Sequence, residues 1–76
     1  MTNDRFVRVR EDGGAATSIF YLEEQIKELQ GVLNVKSFNE LYDGSRIVRV
    51  RGKVSSRNLK FKIHNNGYSV IGGVLV

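Results

Sequence analysis

"RIVRVRGKVSSRNLKFKIHN", Arg46 to Asn65, decides how the chain folds. In its first half Val48, Val50 and Val54 alternate with Arg49, Arg51 and Lys53, a period of two that predicts a half-buried strand. In its second half Leu59, Phe61 and Ile63 alternate with Lys60, Lys62 and His64, which predicts a second strand. "SSRN", Ser55 to Asn58, then serves as a short connection, and 46–64 becomes a hairpin. On this reading Val48, Val50, Val54, Leu59, Phe61 and Ile63 share the core face, and the cations share the other.

The first strand has a near copy upstream. "RFVRVR", Arg5 to Arg10, differs from "RIVRVR" only by Phe6 in place of Ile47, and its Val7 and Val9 join the core face. Gly13-Gly14 breaks that strand. From Thr17 or Ser18, either of which can cap a helix, Ile19, Leu22, Ile26 and Leu29 recur at helical spacing, and Gly31 ends the helix. Glu23 and Lys27 stand four apart as a solvent-side pair. Val32 to Tyr42 reads as an imperfect strand, bulged near Asn39 or Glu40, and Asp43-Gly44 as a tight turn. Asn66-Gly67 closes a further hairpin into "YSVIGGVLV", where Gly72-Gly73 signals a bulge. The fold expected is α+β in the order β-α-β-β-β-β, an antiparallel C-terminal meander with one helix packed on one face of the sheet.

At 76 residues the chain forms a single small domain, 1–76, and buries only about 60% of the surface its unfolded form exposes. It has no cysteine, so no disulfide supplements that core. A second copy is the expected supplement, a homodimer with "VIGGVLV" contributing, because the apolar Val74, Leu75 and Val76 are costly to leave in water. Ile19, Leu22, Ile26, Leu29 and Leu33 offer a second seam for it. Polar "MTND" opens the chain and no apolar run approaches the roughly 20 residues of a membrane span, so a cytoplasmic protein is expected.

Charge supplies the functional signal. Residues 1–43 hold all eight acids and five bases, whereas 44–76 hold seven bases and no acid, an asymmetry that points to an anionic partner. The expected site is the face opposite the core: Arg8, Arg10, Arg49, Arg51, Lys53, Lys60 and Lys62, with Phe6 placed to stack a base. Guanidinium groups pair with phosphate through two parallel hydrogen bonds, and each contact releases counterions. Nucleic acid, DNA or RNA, is therefore the expected partner, gripped by its backbone with little sequence specificity. The alternative is a regulator or inhibitor, virus-encoded or otherwise, whose basic face docks on an acidic protein surface. Tyr42 and Tyr68 flank turns and could contact a ligand.

Catalysis finds little in the sequence. The single histidine, His64, has no cysteine to pair with and no acid after Asp43, and no phosphate-cradling glycine loop is present. One histidine and scattered carboxylates offer no metal-ligand spacing, so neither metal nor cofactor is expected. The tract "LYDGSRIVRVRGKV" resembles the Leu-x-x-Gly hairpin of Sm-like RNA-binding proteins at Leu41 and Gly44. It departs from that hairpin in the separation of eight positions from Gly44 to Gly52 and in the strand before the helix, and no residue role is carried over.

Overall fold

The computed structural model describes residues 4–75, and side chains from 4 to 72. Six elements follow in order: β1 (Asp4–Glu11), α1 (Ile19–Lys27), β2 (Val32–Ser37), β3 (Arg46–Gly52), α2 (Ser56–Asn65) and β4 (Tyr68–Leu75). All neighbouring strands are antiparallel, and the sheet runs β2-β3-β1-β4. This β-α-β-β-α-β order with two split crossovers is the ferredoxin-like arrangement.

The α+β class, the antiparallel sheet and a helix packed on one sheet face stand as read. The 59–65 segment does not. "LKFKIHN" is helical, part of α2, and a second helix replaces a strand of the expected meander. Ser55 caps it, its hydroxyl accepting the Asn58 N–H at 3.0 Å. Leu59 and Ile63, four apart, are buried, while Phe61 between them is 67% exposed. The crossover follows from strand order: β1 and β2 already occupy both edges of β3, so the chain leaving Gly52 must pass over β1 to reach β4. Such a connection between parallel strands takes a dozen or more residues and is usually helical. Asn66-Gly67 accordingly turns α2 into β4 and closes no hairpin; the buried Asn66 carbonyl accepts the Thr17 N–H at 3.0 Å, tying this turn to the start of α1.

One face of the sheet carries both helices. Val7 and Val48 stand directly opposite on β1 and β3, as do Val35 and Val50 on β2 and β3, and with Val9 they pack against Leu22 and Ile26 of α1 and Leu59 and Ile63 of α2. In α1 the cap is Ser18, whose hydroxyl accepts the Tyr21 N–H at 3.1 Å. Glu23 does not sit in a solvent pair with Lys27: it is half-buried and accepts the backbone N–H of Ser37 at 2.9 Å as well as its hydroxyl, fastening α1 to the end of β2. The helix stops before Gly31. That glycine instead meets Gly52, where a Cβ on either would lie about 2 Å from a backbone oxygen of the other segment, and the Lys53 N–H donates to the Gly31 carbonyl at 2.9 Å.

β2 ends at Ser37, five residues before the expected Tyr42, and its irregularity lies between Val32 and Asn34 and not at Asn39 or Glu40. Leu33 sits on this strand, 65% exposed, so it extends no helical seam. The bulge at Gly72-Gly73 is present: between Val7 and Arg8 the β4 register jumps from Val74 to Ile71. Val76 and the side chains of Val74 and Leu75, expected to bury a dimer tail, lie outside the described residues.

Candidate nucleic-acid interface

Among the described residues, no element lies over the face of the sheet away from the helices. Strand alternation puts Phe6, Arg8 and Arg10 of β1, Ile47, Arg49 and Arg51 of β3, and Lys36 of β2 on this side, because their neighbours Val7, Val9, Val48, Val50 and Val35 are in the core. Register lines them up across strands: Phe6 is opposite Arg49, Arg49 is opposite Lys36, and Arg8 is opposite Ile47. Arg8, Arg10, Arg49, Arg51 and Phe6 thus meet on one surface.

Lys53, Lys60 and Lys62 are not part of it. Lys60 and Lys62 belong to α2, on the helical side of the molecule, together with His64. Lys53 is exposed just beyond the end of β3. The basic character therefore forms two surfaces, one on the open sheet and one along α2, where Arg57, Lys60, Phe61 and His64 follow at helical spacing and are all exposed.

The sheet face also carries acid, contrary to the expectation from its strands alone. Asp4 stands opposite Arg51 and takes it in a two-pronged pair, Nε to Oδ1 at 2.8 Å and Nη2 to Oδ2 at 3.2 Å. This guanidinium holds the Asp4 carboxyl below its usual range, and the Asp4 carboxylate raises the Arg51 pKa in return. Asp43 reaches in from the β2–β3 loop to Arg8 at 2.5 Å. Ser45, fully buried, organises that contact: its hydroxyl accepts from Arg8 Nε at 2.8 Å and donates to Asp43 Oδ1 at 2.5 Å, and its N–H donates to the same oxygen at 3.0 Å. The Ser45 hydroxyl and N–H, ahead of Arg8, hold the Asp43 carboxyl down to about 2. These carboxylates keep β1 and β3 from repelling one another across the sheet.

Arg49 is left over. Among the described residues it makes no ion pair, and its Nε is buried without a hydrogen-bond partner. It sits at the centre of the face with Phe6 on one side and Lys36 on the other. Lys36 in turn stands over the Phe38 ring, its ammonium 5.4 Å from the centroid. Sequence reasoning passed over Lys36 and Phe38; the parity of β2 with respect to Val35 was the available signal, obscured by running that strand on to Tyr42. Tyr68, a turn-edge candidate, is a core residue instead: its hydroxyl donates to the Thr17 carbonyl at 2.6 Å, and burial, then Glu11, raises its pKa. Tyr42 is fully exposed in the loop.

No family model matches the chain, and no curated protein matches it in sequence. A cleft of about 220 Å³ at the β1 end of the sheet is lined by Arg10, Glu11, Ser18, Glu40, Arg46 and Tyr68, whose balanced charges favour neither anion nor cation. Among the described residues no three His, Cys, Asp or Glu side chains cluster as metal ligands. No helix of the described residues is long and apolar enough to cross a membrane.

Proposed function

We propose that the open sheet face binds nucleic acid through backbone phosphates, without catalysis and with little base selectivity, in the cytoplasm. The observation that carries this reading is Arg49: a guanidinium at the centre of a face that no described element covers, flanked by Lys36, with a buried Nε that no carboxylate or carbonyl among the described residues satisfies. A phosphate is the ligand class that suits such a group, through paired hydrogen bonds to the fork and release of counterions. Lys36 adds exposed charge beside it and Arg10 adds more four residues along β1 from Phe6, while Arg8 and Arg51 are already partnered. If Arg10, Lys36 and Arg49 each neutralise one phosphate, log affinity falls against log salt with a slope of about −2.7 on duplex. Fluorescence anisotropy across a salt series measures it. The double variant Arg10→Gln/Arg49→Gln should flatten the slope by about 2 with the fold retained. Unchanged binding by that variant, or none by the parent at low salt, defeats the proposal.

One observation favours the second reading, docking on an acidic protein. Phe61 is two-thirds exposed within the basic stripe of α2, and an exposed aromatic among cations is what a protein partner buries. A homodimer remains part of the proposal, with β4 as its seam, because β4 is an edge strand. Light scattering on the full chain tests it, and a monomer at tens of micromolar would remove it.

A further inference from the structure

Resting on the phosphate-binding reading, we infer that the nucleic acid taken by this face is single-stranded, with unpaired bases stacked on Phe6 and Phe38 and the intervening backbone on Arg49 and Lys36. Two aromatic rings emerge on the same side of the sheet. Phe6 is 37% exposed on β1, and Phe38 is 38% exposed where β2 runs out, its N–H donating to the Ile47 carbonyl at 2.9 Å. Phe38 faces the open side because the Lys36 ammonium, from the residue opposite Arg49, lies over its ring. Two strand spacings across and two residues along separate them, about 12 Å of backbone. The residues between are Arg49, Lys36 and Ile47, so the two cations of the central face that make no ion pair among the described residues stand between the two rings.

This order of groups discriminates between strand states. Every base has a π-face, but in a duplex both faces are covered by neighbouring pairs, so only an unpaired base can lie on Phe6 or Phe38. Reading a duplex instead requires an element that enters a groove, a helix or a two-stranded ribbon. The face is formed by the broad side of a four-stranded sheet, and both helices pack on its other side. Phosphates would meet the cations equally well from either form of nucleic acid; the rings make the difference. The flanking ion pairs, Arg8 with Asp43 and Arg51 with Asp4, bound the platform and place carboxylates at its margins, which disfavour the second backbone a duplex would bring.

The test compares a fluorescein-labelled oligothymidylate, a blunt duplex of the same length, and inorganic polyphosphate, which has the charge and no bases. The oligothymidylate should bind at least tenfold more tightly than the duplex. Phe6→Leu and Phe38→Leu keep apolar bulk and remove the π-face. Each should weaken oligothymidylate binding by about 5- to 100-fold and leave polyphosphate binding and the salt slope unchanged. Circular dichroism verifies that each variant is folded, and Phe38→Leu, outside every strand, carries the comparison should Phe6→Leu lose structure. Equal binding of duplex and single strand, or leucine variants that bind as the parent does, overturns the single-strand inference while the phosphate reading stands. Failure of all three probes to bind at low salt overturns both.

Discussion

"RIVRVR" and "LKFKIH" carry the same pattern, apolar residues alternating with cations, and end up as different structures. In β3 the alternation is realised: Val48 and Val50 are buried, and Ile47, Arg49 and Arg51 lie on the other face. In α2 it is an accident of Phe61. Leu59 and Ile63 fit a period of two and a period of 3.6 equally, and only the exposed Phe61 separates the two interpretations. Composition leans the same way as the structure, since β3 is built from β-branched Ile47, Val48 and Val50, whereas 59–62 contain none. The difference teaches that a short alternating run takes its structure from what flanks it and from which sheet edge is free.

The sharpest way to break this comparison is to truncate across α2. Leu59→Ala removes a fully buried side chain and should cost about 2–5 kcal/mol by urea unfolding. Phe61→Ala should cost less than about 0.5 kcal/mol, as exposed substitutions do. Were 59–65 a strand with Phe61 in the core, both changes would be severe, so comparable losses would reject the helix. A smaller effect tests the start signal: Ser55→Ala removes the cap of α2 and should cost about 1 kcal/mol, whereas Ser56→Ala, one residue later, should be nearly silent. Equal effects would mean that the cap does not set the boundary.

The smallest effect sharpens the contrast in the cations. Two of the strand cations, Arg8 and Arg51, are held by carboxylates, whereas those of α2 have none among the described residues. Asp43 is held at about 2 in the folded chain against an ordinary 3.8, so the folded state binds its proton less tightly than the unfolded state does. The stability this supplies is complete above about 3.8 and is lost as pH falls through about 2. Asp43→Asn should flatten the stability profile across that window, read as thermal midpoint against pH, while Lys60→Gln leaves it unchanged. A profile as steep in Asp43→Asn as in the parent would place the acid sensitivity elsewhere.

For the candidate site, the strand parity of β1 and β3 was enough to bring Phe6, Arg8, Arg10, Arg49 and Arg51 onto one face, since Val7, Val9, Val48 and Val50 can point only the other way. Lys60 and Lys62 were lost with the helix that carries them, and Lys36 and Phe38 were missed because β2 stops at Ser37. Nothing local announces Asp4 and Asp43 as partners of Arg51 and Arg8, which are 47 and 35 positions away in the chain. Periodicity, caps and turn glycines act between neighbours, and so the α+β class, β1, α1, β3 and the bulge in β4 were determined by the sequence by itself. Strand order, the crossover through α2 and the pairing that leaves Arg49 the unpartnered guanidinium at the centre of the face depend on which edges and faces are already occupied. Only the assembled tertiary structure decides that, because edges and faces become occupied only when segments distant in the chain have met.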